Sequence, residues 1–112
     1  SAPPDALLFS YLRSMPFYLY ILQSNTTGRY YIGHTQDISQ RLQRHNANRV
    51  PATRQKGHWK LVHREEFGTR REAAAQERYL KCLKDRAFID ALVRTSRLVG
   101  IRPAILYRSF YA

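Results

Sequence analysis

Five side chains within the first eighty residues have the chemistry that hydrolysis of a phosphodiester requires. A carboxylate binds a divalent cation through oxygen, and a cation together with an arginine stabilises the negative charge on a phosphate in the transition state. A phenol or an imidazole orients or deprotonates the attacking water. The residues that offer these groups are Tyr20, Tyr31, Arg41, His45 and Glu77. Each of them alone is ordinary, because buried tyrosine and histidine are common core residues, so the prediction depends on the elements that position them.

Two of three predicted strands carry the tyrosines. Residues 17–23 are an apolar and aromatic run, which predicts a buried strand. Residues 24–29 are a turn cluster in which Gly28 can adopt positive φ, and residues 30–35 predict a second strand antiparallel to the first. Residues 59–67 predict a third strand, with its two terminal aromatic residues interpreted as core.

Each predicted helix begins at a residue whose side chain can accept a backbone amide. The helices are 38–46 after Asp37 with Gln40 as capping-box partner, 69–84 with the capping box Thr69 to Glu72, and 86–94 after Asp85. In the first helix Arg41 and His45 are four residues apart and share one edge. In the second helix Glu77 lies on one stripe with Ala73 and Leu80, which is an unusual place for a solvated carboxylate.

The order of elements predicts an α+β fold, a small three-stranded antiparallel sheet flanked by about three helices. A chain of 112 residues corresponds to one domain. We assign residues 1–14 to a flexible N-terminal appendage, residues 15–94 to the folded domain, and residues 95–112 to a basic and apolar tail. For the tail, a strand, a docked arm and disorder all stay open.

The charge of the chain indicates a polyanionic partner. Lys and Arg number 19 against 8 Asp and Glu, a formal net charge of +11, which favours nucleic acid first and an acidic membrane surface second. The single Cys82 excludes an internal disulfide and a cysteine-cluster zinc site. No apolar run is long enough to span a bilayer, and a reduced, cytoplasmic location is expected.

Residues 47–58 are interpreted as a mobile basic loop. Cations in this loop and just before it are expected to contact the nucleic-acid backbone, which supplies most sequence-independent affinity. They are Arg44, Arg49, Arg54 and Lys56. The alternative is that they only add solubility to the surface.

The order of the candidate residues resembles the GIY-YIG nuclease family over roughly residues 15–90. Tyr18-Leu19-Tyr20 matches the first motif, with Tyr20 in the functional tyrosine position, and Tyr31-Ile32-Gly33 matches the second motif literally. Arg41 and Glu77 also stand where the family has an arginine on the first helix and a glutamate on the second. The compact stand-alone bacterial members are the most similar.

The resemblance implies a role for each matching residue. Glu77 would bind one divalent metal ion, Mg²⁺ or Mn²⁺, as the cofactor, and Arg41 would contact the scissile phosphate. Tyr20 and Tyr31 would position or activate the water. Two histidines match less constant positions: His45, where some members have a histidine beside the arginine, and His34, where some have a lysine. A free phenol ionises at about pH 10. For a tyrosine to act as a base at neutral pH, Arg41, His34 or the metal would therefore have to lower its pKa.

Two departures from the family pattern bear on function. The first motif has YLY in place of GIY, and no asparagine follows Glu77, although many members have one there. The resemblance implies a metal-dependent endonuclease that nicks one DNA strand and acts as a monomer or weak dimer. DNA repair or recombination is the expected process. Neither a membrane partner nor a small-molecule cofactor is expected. The alternative is a catalytically inactive nucleic-acid-binding module of the same fold, and a scaffold on acidic lipid is weaker still.

Overall fold

The computed structural model describes residues 15–99, with side chains to Ser96. Three strands, β1 (Phe17–Ser24), β2 (Tyr30–Thr35) and β3 (Trp59–Phe67), form an antiparallel sheet in the order β2-β1-β3. Three helices follow the predicted order, and the α+β prediction is confirmed. The predicted N-terminal appendage and residues 100–112 of the predicted tail lie outside the described residues.

The helices are α1 (Ile38–Asn46), α2 (Arg70–Leu83) and α3 (Arg86–Val99), and each begins at its predicted cap. The carboxylate of Asp37 accepts the Gln40 amide at 3.0 Å, while the Asp37 amide donates to Thr35 Oγ1 at 3.1 Å. The side chain that accepts the Asp37 amide is therefore that of Thr35, and not that of Gln40, the predicted capping-box partner. The first turn of α2 is held by the Thr69 hydroxyl, which accepts the Glu72 amide.

The two faces of the sheet pack against different helices. Leu19 and Ile21 of β1 join a core cluster with the buried residues of α2 and α3. Tyr20 and Leu22 point to the opposite face and pack with Trp59 beneath α1. Burying a large apolar side chain contributes about 1.5–3 kcal/mol, so both faces stabilise the fold, and the tyrosine lies in the smaller cluster.

A β-bulge in β3 reverses the facing of that strand. Trp59 pairs with Ser24, but beyond the register shift His63 pairs with Ile21, so the inward residues of the later half face α3. His63 and Glu65 are fully buried there, joined at 2.8 Å, and His63 Nδ1 also bonds the Ser96 hydroxyl.

Ser96 reaches this pair because α3 is longer than predicted. The prediction ended the helix near Arg94, whereas it continues to Val99. The stretch between these positions contains neither Gly nor Pro, the residues that most often end a helix.

Candidate active site

The phenol of Tyr20 lies against the backbone of Gly33. The two residues are partners in the β1–β2 pairing. A Cβ at Gly33 would lie 2.6 Å from Tyr20 Oη and 2.8 Å from Cζ, which is well inside contact distance. The second motif therefore has glycine at this position because only a residue without a side chain leaves room for the buried tyrosine.

A chain of hydrogen bonds runs from this phenol into the loop between α1 and β3. Tyr20 Oη lies 3.3 Å from His45 Nε2, and His45 Nδ1 lies 2.8 Å from the Thr53 hydroxyl. The ring of Tyr31 is centred 4.5 Å from the His45 ring and 6.3 Å from that of Tyr20. The fold thus brings together three of the residues that the sequence singled out, together with Thr53, which it did not.

Burial dominates the electrostatics of this group. Desolvation raises the pKa of Tyr20, with a contribution from Tyr31, and the opposing charge of Arg41 does not offset it. Arg41 lowers the pKa of Tyr20 as expected, but burial outweighs this effect, because the residue is only 1% exposed and the charged form loses its hydration. Desolvation, with the charges of Arg41 and Arg44, also lowers the pKa of His45. At neutral pH the phenol is protonated and the imidazole is uncharged.

The carboxylate of Glu77 lies on the other side of β2. Side chains alternate along a strand, so His34 faces α2 while Tyr31 and Gly33 face α1. His34 Nδ1 lies 2.7 Å from Glu77 Oε1, and Lys81 Nζ donates to Oε2 at 2.6 Å. The negative charge of Glu77 nevertheless acts on Tyr20 and raises its pKa. The two halves of the candidate site therefore lie on opposite faces of β2 and interact through charge.

The donor set around Glu77 fits a hydrated divalent ion. Desolvation raises the pKa of Glu77, but hydrogen bonds from Lys81 and His34 outweigh it and bring the pKa below its usual value, so the group is an anion. Among residues 15–99 no three His, Cys, Asp or Glu side chains cluster as ligands. Mg²⁺ commonly binds through one or two carboxylates and keeps several waters, and the partly exposed carboxylate of Glu77 meets that requirement.

The predicted DNA-contacting cations lie on the outer side of α1 and in the loop that follows. Arg44, Arg49 and Arg54 are exposed, whereas Lys56 is half-buried and its Nζ donates to the Ala52 carbonyl at 3.0 Å. Arg44 and Arg49 line an open groove of about 380 Å³. The charges of Arg41 and Arg44 both act on Tyr20 and His45, and that of Arg41 acts more strongly.

Thr53 and the buried pair on β3 are what the sequence did not reveal. Thr53 is 1% exposed, although it lies in a basic loop with no periodic pattern. A threonine between cations gives no signal of burial. His63 and Glu65 alternate correctly for one face of a strand, but only the bulge decides that this face is the buried one.

The domain is an α+β domain with a short antiparallel sheet. Two phenols and an imidazole lie on one face of the sheet and a carboxylate lies beside β2, a set of groups suited to phosphate chemistry. Residues 16–87 match the family model of the GIY-YIG catalytic domain, and the chain therefore belongs to the GIY-YIG nuclease family. No curated protein and no solved structure matches the chain significantly. Within residues 15–99, the helices are too short or too polar to cross a membrane.

Proposed function

We propose that this protein is a metal-dependent endonuclease that hydrolyses a DNA phosphodiester and cuts one strand per event. The observation that carries the proposal is the contact of Tyr20, Tyr31 and His45 beside Gly33, with the charge of Glu77 acting on the Tyr20 phenol. Membership of a nuclease family supports DNA as the substrate. One chain offers one such site, which favours nicking by a monomer or weak dimer.

The proton of the attacking water passes through Tyr20 to His45. A standing phenolate is unfavourable because burial raises the pKa of Tyr20. The neutral imidazole of His45, by contrast, has a lone pair available at neutral pH. As the water oxygen attacks phosphorus, one water proton moves to Tyr20 Oη while the phenol proton moves to His45 Nε2. The bond from phosphorus to the leaving sugar oxygen breaks, and that oxygen takes a proton from solvent. Tyr31 packs against the imidazole and helps to place the water.

Arg41 and Glu77 deal with the charge of the phosphate. The guanidinium of Arg41 contacts the scissile group and stabilises its developing negative charge. Glu77 holds the divalent ion, Mg²⁺ or Mn²⁺, which when bound supplies Lewis-acid stabilisation of the phosphoryl oxygens. His34 orients the carboxylate through its 2.7 Å contact, and the exposed Lys81 would have to give up its contact with Oε2 before that oxygen could bind the ion.

The basic surface holds the DNA backbone. Arg44, Arg49 and Arg54 project into solvent from α1 and the loop, and together with Lys56 they account for sequence-independent affinity. A role in DNA repair or recombination in the cytoplasm, without a small-molecule cofactor, completes the proposal.

Cleavage of end-labelled DNA tests the proposal directly. Single-stranded, duplex and flapped substrates are incubated with Mg²⁺, Mn²⁺ or EDTA, and wild type is compared with Glu77→Ala and Arg41→Ala. Glu66→Ala and Arg94→Ala remove exposed groups of the same types elsewhere and serve as controls. Metal-dependent cutting that is lost only in the first two variants supports the proposal. Cutting that survives in them places the activity elsewhere or in a contaminant.

A second candidate function is a DNA-binding module that does not cut. The specific observation in its favour is that His34 and Lys81 already engage both oxygens of Glu77, and the sequence lacks the later asparagine. This function predicts that no substrate is cleaved with any metal ion, while DNA binding persists and is unchanged in Glu77→Ala.

A further inference from the structure

We propose that Thr53 is a positioning residue that fixes the tautomer of His45, holding the ring proton on Nδ1 so that Nε2 accepts from Tyr20. The inference rests on the proposed function, because it assigns Thr53 a part in the same proton path. The threonine makes no contact with the reacting atoms and acts only through the imidazole.

The direction of the Thr53 hydroxyl follows from its second contact. Thr53 Oγ1 donates to the Val50 carbonyl at 3.4 Å, and the same carbonyl accepts the Thr53 amide at 3.1 Å. A hydroxyl has one proton to give, and we assign it to the Val50 carbonyl, so that the oxygen accepts from His45 Nδ1, 2.8 Å away. Nδ1 must then carry the proton, which leaves the lone pair of the imidazole on Nε2.

The tautomer matters because Nε2 is the nitrogen that lies beside the phenol. In the Nδ1–H form the donors run in one direction, from Tyr20 to His45 to Thr53 to Val50. In the other tautomer Nε2–H would point at Tyr20 Oη, and the imidazole could not take the phenol proton. The second partner of a histidine commonly decides which ring nitrogen is protonated.

The main chain holds Thr53 rigidly enough to perform this task. The indole of Trp59, which is buried, donates to the Thr53 carbonyl at 3.2 Å, and the Lys56 amide donates to it at 3.3 Å. At the end of α1, Asn46 Oδ1 accepts a hydrogen bond from the Trp59 amide, and Asn46 Nδ2 donates one to the Trp59 carbonyl. The threonine is therefore fixed from both the helix and the strand that bracket the loop.

The ring nitrogens of His45 report the tautomer directly. In the full chain labelled with ¹⁵N-histidine, wild type is expected to show a protonated Nδ1 and an unprotonated Nε2 at pH 7.5. Thr53→Val keeps the shape but removes the acceptor, so the two nitrogen signals should move toward each other or exchange. Thr53→Ser restores the hydroxyl and should restore the wild-type pattern. Thr95→Val serves as a control, because that hydroxyl bonds only the Ala91 carbonyl of its own helix in α3.

Cleavage kinetics give the second readout. We expect Thr53→Val to lower kcat at least roughly 10-fold with little change in KM, since a positioned base contributes about 10²–10⁴-fold, and Thr53→Ser to recover most of the loss. An unprotonated Nδ1 in wild type overturns the inference even if Thr53→Val does not fold. An unchanged nitrogen pattern in folded Thr53→Val, or no recovery in Thr53→Ser, also overturns it. If wild type never cuts, the proposed function fails, whereas the nitrogen signals still decide the role of Thr53.

Discussion

Replacing Gly33 by alanine is expected to damage the fold and the site together. The added Cβ would lie 2.6 Å from Tyr20 Oη and 2.8 Å from Cζ, whereas carbon atoms in favourable contact are about 3.5–4.0 Å apart. An overlap of roughly 1 Å cannot be relieved in place, because Tyr20 is almost completely buried. Overpacking of this kind costs about 1–3 kcal/mol.

Urea unfolding followed by the fluorescence of Trp59, the single and buried tryptophan, measures the cost. Gly68→Ala is the matched control, since a Cβ there would meet only Glu72 Oε1, 3.9 Å away. Both variants gain the same restriction of the unfolded chain, so their difference isolates the steric effect. We expect Gly33→Ala to be less stable than the control by about 1–3 kcal/mol, with a Tm lower by roughly 4–8 °C per kcal/mol.

The same substitution should reduce cleavage more than stability alone explains. Relief of the overlap moves the phenol away from His45, and the loss of a positioned proton-transfer pair lowers rates by roughly 100-fold or more. Cleavage is assayed well below the transition temperature, where the variant is folded. If Gly33→Ala matches Gly68→Ala within about 0.5 kcal/mol and cuts at the wild-type rate, the argument from close approach is refuted.

Four further outcomes are expected. Substituting His63 by alanine should cost about 3–5 kcal/mol in urea unfolding, because it leaves a buried carboxylate unpaired, and a cost under about 1 kcal/mol would show that the network contributes little. The pKa of Glu77 is below its ordinary value, so the carboxylate stabilises the fold above about pH 4.5, and this stability is lost as pH falls through the folded pKa. Because Lys81 helps to lower that pKa, Lys81→Met should reduce the difference in Tm between pH 7 and pH 3. An unchanged difference would contradict the assignment. Cleavage should continue below pH 6.5, since burial and neighbouring cations lower the pKa of His45, and Arg44→Gln should move the acid limb of the pH–rate profile to higher pH. DNA affinity measured by fluorescence anisotropy should fall steeply between 50 and about 200 mM salt, whereas a flat response would argue against backbone contacts.

Local signals in the sequence predicted most of the elements. The structure places β2, α1 and β3 at their predicted limits, because turn residues and caps such as Asp37 mark where the periodic patterns change. Alternation along the strands indicates which residues share a face, but the register that sets Tyr20 opposite Gly33 and near Tyr31 is seen only in the structure. The helical period likewise placed His45 on the side of α1 that faces the sheet.

The remaining features of the site and the fold depend on tertiary structure. Desolvation raises the pKa of Tyr20 and nearby cations lower it. The sequence shows the cations but not how deeply the phenol is buried. The bulge in β3 inserts one residue without a distinctive residue type, so the burial of His63 and Glu65 had no signal. Thr53 lies outside any periodic element, and its partner is eight residues away on a different segment.

The helix α3 has a consequence for how short the folded domain can be. The family match ends at residue 87, just after α3 begins, yet Ile89, Leu92 and Val93 are buried in the larger core cluster. A chain shortened to the matched region would keep every residue assigned to the chemistry. It would also uncover the buried pair of His63 and Glu65 beneath α3 and the apolar surface around it. The shortest segment that holds the assigned residues and the shortest segment able to fold therefore have different lengths in this protein.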